Sequence, residues 1–504
     1  MNPIDIHTHV FNLRYLPLSG IIRRYTHGKV PLKISRGVAK FFLSHTAASF
    51  ETEQNVPTAG KIRIPIVELL GKPPQEITVQ QKAIDSRYSL FNMGPDEIIE
   101  GLTDQITPSD LQDREIREAL LSFSPESEKV KMAFSSAGLM GDLPDTLIFD
   151  GGILSFGHTA LKEMLEWVIS KMDMIENHLR WLVFMMNSEE DIFLRLKERD
   201  GYGVSKFVHL MMDVDHYFKE QNGEEHKSYY DFTTQQIPNM LKLQNRYPDL
   251  IGFVAVDPAK PNWKEILDIA ISSGFKGIKI YPPLGYHFDM EADEVLRVRI
   301  DEILAYCVQN DLPLFTHCNN SGFEAYPGED HSGYNSNPKY WSNALIRYPN
   351  LRLCLGHAGG GSGWFSQHLP VDITHAAEID VNWVKDTTSE QKNWNQSYAA
   401  QVLRLCVLYE NVYCDASYLD EMVDSSGELS IKASENFRER LLSSIKDNPC
   451  FERKIMYGSD WHMLFREAKQ EVYYKSYVDF MSHPDLLYFK EDFFEGNARK
   501  YLKM

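Results

Sequence analysis

The chain has 504 residues, more than a single hydrophobic core requires, which leaves either two domains or one barrel with large insertions. Apolar residues at 43% and charged residues at 24% exclude a disordered, fibrous or collagen-like chain. The formal net charge of −19 repels phosphate backbones and anionic membrane surfaces, so neither nucleic acid nor a membrane is an expected partner.

The first element is an apolar strand over residues 3–9, ending in polar residues. A strand repeats every second residue, which sets Asp5, His7 and His9 on one face and Ile4 and Ile6 on the other. In a barrel strand the outward face packs on helices, and inward residues near the C-terminal end reach the mouth. A functional strand this early leaves no room for a secretory leader, so a cytoplasmic location is the default expectation.

From about Phe11 to Ser205 the strand signal disappears. Asp110–Ser122, Thr159–Met174 and Ile175–Arg199 show helical periodicity, whereas Gly71-Lys72-Pro73-Pro74 reads as loop. The most apolar stretch, Leu179–Met186, is far shorter than the about 20 residues a membrane-spanning helix needs. Residues 11–204 therefore read as a mostly helical insertion after the first strand, a lid or a pocket-forming segment.

After Ser205 strands and helices alternate to the end, the signature of a parallel sheet with crossover helices. The strands are Lys206–Asp213, Ile251–Val256, Lys276–Tyr281, Pro313–His317, Leu351–His357, Asn411–Asp415 and Lys454–Asp460. Helices are expected at Trp263–Ser272, Glu294–Gln309, Tyr340–Arg347, Ser397–Leu408 and Ile431–Ile445. With the first strand the count is eight, which closes a barrel. The expected architecture is an α/β fold, a (β/α)8 TIM barrel formed by residues 1–10 and 205–504, with 11–204 inserted. The six cysteines, Cys307, Cys318, Cys354, Cys406, Cys414 and Cys450, show no paired spacing and read as reduced.

Several strands end in an imidazole or a carboxylate: His7 and His9 on the first, His317 on the fifth, His357 on the sixth and Asp460 on the eighth. Strand ends converge in a barrel, and imidazoles with one carboxylate suit zinc or a similar divalent ion. Ile4-Asp5-Ile6-His7-Thr8-His9, Thr316-His317-Cys318, Gly356-His357-Ala358-Gly359-Gly360 and Tyr457-Gly458-Ser459-Asp460-Trp461 resemble motifs of the amidohydrolase superfamily, in its amidohydrolase-related branch. Residues 274–283 and Gly496-Asn497-Ala498 add to the resemblance, which covers residues 1–10 and roughly 205–504. That branch contains hydrolases as well as aminocarboxymuconate-semialdehyde decarboxylase and the resorcylate decarboxylases.

The resemblance implies that His7, His9, His317 and Asp460 bind one divalent metal, zinc or else manganese, with His357 beside it. Activated water would then attack a lactone, ester or amide carbonyl of a small molecule, with Asp460 and His357 as the catalytic proton handlers. A non-oxidative decarboxylase using the same ligands is the alternative, and a catalytically silent barrel scaffold the third reading. Lys279 points into the barrel, either carboxylated and bridging a second metal or holding substrate or a nearby carboxylate. Tyr281, His287 and Trp461 are further candidates for substrate contact, as is His331. Asp213, Asp215, His216 and Asp257 lie near strand ends but read more simply as loop caps. The run Gly359–Gly363 reads as a flexible loop ahead of a phosphate cradle, and Asn497 as a fastening for the last helix. A homo-oligomer is compatible with all of this.

Overall fold

A computed structural model describes residues 1–48, 94–123, 151–172, 176–220, 222–288, 293–323, 332–365 and 397–504. The Gly71–Pro74 stretch, the junction at residues 173–175 and His331 lie outside these residues, as does the side chain of His216. The chain divides into two compact units, one of residues 1–10, 193–217 and 232–504, the other of residues 11–192 and 218–231.

The first unit is an eight-stranded parallel sheet in sequential order. Its strands are β1 (Ile4–Thr8), β2 (Lys206–Leu210), β3 (Leu250–Ala255), β4 (Gly277–Ile280), β5 (Leu314–Thr316), β6 (Leu353–Leu355), β7 (Val412–Asp415) and β8 (Ile455–Met456). The sheet closes on itself: Ile6 N donates to Tyr457 O at 3.2 Å, Asp460 N donates to His7 O at 2.7 Å, and Thr8 bridges Trp461. Helices at Trp263–Ser273, Glu294–Gln309, Tyr340–Arg347, Tyr398–Leu408 and Ile431–Asp447 follow β3 to β7, giving the expected (β/α)8 barrel. Among the described residues, no helix is long and apolar enough to cross a membrane.

One expectation about β1 is overturned. Ile4 and Ile6 do not face the outer helices; they join a buried cluster with Val208, Phe253, Phe315, Cys354, Tyr413 and Met456, contributed by strands all around the sheet. Residues drawn from so many strands of a closed sheet can meet only inside it. The cause lies in the pairing of β1 with β2, where Asp5 stands opposite Phe207 but Thr8 opposite His209. One extra residue on β1 is a bulge, and it lets Ile6 and His7 both reach inward where strict alternation would separate them.

The strands also end earlier than their apolar runs. His357 and Asp460 leave the ladder in left-handed conformations, with φ of 60° and 57°. The barrel floor is sealed by the last helix, Asn497–Leu502, whose Asn497 donates to Glu452 O and Ile455 O, each at 2.9 Å, as the fastening role requires.

The second unit is helical. In the helix Leu32–His45 the residues Ile34, Val38, Phe41 and Phe42 form one buried stripe, and in Arg114–Phe123 so do Ile116, Ala119, Leu120 and Phe123. A Cβ on Gly37 would lie 2.1 Å from Ala119 Cβ, so the closeness of these two helices depends on that glycine.

Candidate metal centre

The ends of β1 and β8 place three donors together. His7, His9 and Asp460 each offer a ligand atom, and these atoms lie within 4.8 Å of one another, all buried. His9 Nε2 is 3.1 Å and His7 Nε2 3.4 Å from Asp460 Oδ1. Gly458 allows β8 to come this close, since a Cβ there would lie 3.0 Å from His7 Cβ and 3.2 Å from both Asp415 Cγ and Ser417 Cβ. Asp5 orders the turn before Asp460: its carboxylate accepts from the backbone N–H groups of His7 and Ser459, at 3.1 and 3.0 Å, and from the Ser459 hydroxyl.

The hydrogen bonds of the rings decide what each nitrogen presents. His9 Nδ1 lies 2.8 Å from Leu210 O, and a carbonyl oxygen only accepts, so Nδ1 carries the proton and Nε2 presents a lone pair. By the same argument His317 Nε2, 2.7 Å from Ser321 O, is protonated and its Nδ1 is the acceptor. That Nδ1 lies 3.1 Å from His357 Nε2. His317 thus adjoins the group through His357, whose ring centroid is 4.7 Å from His317 and 4.8 Å from His7.

Burial sets the charges. It pushes His7 and His317 well below the usual imidazole range, lowers His357, and brings His9 down to about 3, so these rings are neutral. Burial raises Asp460 to about 7. It lowers Lys279 to about 8, against the attraction of Asp460 and Asp415. The Lys279 ammonium stands 4.5 Å over the Phe315 ring and 5.7 Å from that of Tyr281. Neutral imidazoles with inward lone pairs beside a carboxylate are the donor set that a borderline divalent ion prefers, so the residues present fit such an ion.

The remaining candidates are spread more widely. Tyr281 packs 4.8 Å from the His317 ring, and its hydroxyl accepts from Phe323 N at 2.6 Å. His287 stacks on Tyr340 at 4.0 Å. Trp461 donates its indole N–H to Asp200 at 2.9 Å. Asp213 takes both its carboxylate contacts from Lys260 at 2.6 Å, and Asp257 accepts from Tyr217 at 2.7 Å, which are structural pairings. The glycine run is closely packed: atoms of Tyr398, Asn319 and Glu421 crowd the Cβ positions of Gly359, Gly360 and Gly361, so no side chain fits there.

Two buried neighbours went unselected in the sequence. Asp415 closes β7 and Ser417 follows it, both touching His7 and His357. A carboxylate ending a strand was the available signal for Asp415; a serine two residues on carries none.

The amidohydrolase family profile matches residues 239–504, more than half of the chain, and the chain belongs to that family. The eight-stranded barrel and the buried His/His/Asp group described above accord with that membership. Among solved structures, a probable 2-pyrone-4,6-dicarboxylic acid hydrolase from Acinetobacter baumannii, with citric acid bound, is 13% identical, with a TM-score of 0.37 over 62% of this chain and 89% of that one. An amidohydrolase from Burkholderia multivorans with bound zinc is 13% identical, with a TM-score of 0.38 over 62% and 88% of the two chains. Likenesses of this size carry nothing about chemistry. No curated protein matches the chain.

Proposed function

We propose that this protein is a metal-dependent hydrolase of a small-molecule lactone, ester or amide, and that His7, His9, His317 and Asp460 hold one divalent cation, zinc ahead of manganese. The supporting observation is the convergence of His7, His9 and Asp460 donor atoms within 4.8 Å, with the His9 lone pair turned to Asp460 by the bond to Leu210 O. A divalent ion in such a site supplies Lewis acidity, which polarises a carbonyl and acidifies water.

The protein's own groups handle the protons. Asp460 is assigned to take a proton from the attacking water and return it to the leaving group. His357, with Nδ1 against Ser417 O at 3.2 Å, presents Nε2 as an acceptor, so it acts as a base before it can donate. Lys279 and Tyr281 are assigned to substrate, with His287 and Trp461 less directly engaged.

Lys279 also favours a second reading. A buried ammonium over Phe315 is the kind of second anchor a carboxylate substrate needs, as in a non-oxidative decarboxylase. A substrate panel separates the two: lactones, aryl esters and amides on one side, aromatic and dienoic carboxylates on the other, each with zinc-loaded and chelator-treated protein. Zinc-dependent release of acid from the first group is expected. Loss of carbon dioxide from the second would assign a lyase, and no turnover by loaded protein would leave a scaffold.

A further inference from the structure

Behind the ends of β6 and β7 lies a polar hub that the proposed chemistry does not yet use. Ser417 Oγ stands 2.8 Å from His7 Nδ1 and 3.0 Å from His357 Nδ1. Asp415 Oδ1 accepts from the backbone N–H groups of His357 and Ser417, at 3.1 and 2.9 Å. Its Oδ2 lies 3.4 Å from His7 Nδ1. Asp415 and Ser417 are wholly buried, and His7 and His357 nearly so.

The proton positions follow from what each neighbour can do. His357 Nδ1 also faces Ser417 O, and His7 Nδ1 also faces the Asp415 carboxylate, neither of which can donate. Both Nδ1 atoms therefore carry the proton, and the hydroxyl oxygen, with two lone pairs, accepts from both rings. One carboxylate oxygen meanwhile fixes the backbone at His357, where φ is 60°, together with the residue that carries the hydroxyl.

We propose that Asp415 and Ser417 are positioning residues: a single hydroxyl clamps His7 and His357 in the Nδ1–H tautomer and thereby turns both Nε2 lone pairs into the site. The proposal rests on the reading that His7 holds the cation and His357 moves the proton. It couples a proposed metal ligand to a proposed base through one oxygen, so neither ring can flip its tautomer without disturbing the other.

The test is nitrogen-15 and proton NMR of the imidazole N–H groups, assigned with His7→Gln and His357→Gln variants, alongside zinc affinity by chelator competition. In the wild type both rings should show protected, downfield Nδ1–H signals. Ser417→Ala should move both signals together, speed their exchange and weaken zinc binding by about 10- to 100-fold, while Ser417→Thr restores both signals and brings affinity to within about threefold. A wild-type ring protonated at Nε2 overturns the proposal without any variant. So does an alanine variant in which one signal or neither moves, even with affinity lost, or one in which both move with affinity unchanged. Failure of the wild type to bind zinc or manganese would sink the functional reading, and the N–H signals of the same samples would still decide the clamp.

Discussion

His317 Nδ1 and His357 Nε2 face each other across 3.1 Å while the far nitrogen of each ring lies against a carbonyl oxygen. Both rings are held neutral by burial, so two lone pairs oppose each other, an arrangement that a cation relieves. Zinc at a hundredfold excess over its Kd should add about 2.7 kcal/mol to the unfolding free energy. His317→Leu should lose most of that gain, and its metal-free form should be no less stable than metal-free wild type. Denaturant titrations with and without zinc measure both; an unchanged zinc increment in the variant would contradict the ligand role.

Asp460 sits at φ 57°, a conformation that Asn tolerates and Ala does not. Asp460→Asn should therefore keep the fold to within about 1 kcal/mol, whereas Asp460→Ala should lose about 1–2 kcal/mol more through backbone strain. Both should depress turnover by about 10²- to 10⁴-fold, the range for a lost proton handler. Equal thermal midpoints for the two variants would refute the strain argument.

Much of the barrel was legible because its helices carry clear stripes and its strands are apolar runs with polar ends. The helices Glu294–Gln309 and Tyr340–Arg347 begin and end where their periodicity does. The strand ends were overextended, since nothing local to Leu355-Gly356-His357 announces a left-handed turn. The inward placement of Ile4 and Ile6 was illegible for a different reason: a bulge is an offset between two strands, and a period of two read along one strand cannot record it. Likewise His7, His9 and Asp460 stood out at strand ends, while Ser417 matters only through contacts 410 and 60 residues away in the chain.

Gly277 on β4 has no room for a side chain, because a Cβ there would lie 2.5 Å from the Phe253 ring inside the barrel. Gly277→Ala should cost about 1–3 kcal/mol as Phe253 is displaced. Urea unfolding measures it, and wild-type stability in the variant would show that the ring has somewhere else to go.

In the helical unit Glu220 accepts two bonds from Arg23, both 2.9 Å, and lies 2.8 Å from His226 Nε2. Arg23 and then His226 hold its pKa down at about 2 against an ordinary 4.5. A depressed carboxylate contributes stability that is complete above its unfolded pKa and is lost as pH falls through its folded one, so this contribution should drain away between pH 4.5 and about 2. Screened by solvent, it amounts to about 1 kcal/mol. Glu220→Gln should lower stability at neutral pH and flatten the acid limb; an acid limb as steep as that of the wild type would contradict the assignment.

The central claim is that the ends of β1 and β8 hold a catalytic metal. The most direct measurement is metal content per chain by mass spectrometry, in the wild type and in a His7→Ala/His9→Ala double variant. The account predicts about one zinc or manganese per wild-type chain and almost none in the variant. A wild-type chain that takes up neither metal after incubation, or a double variant that keeps its full complement, would contradict it.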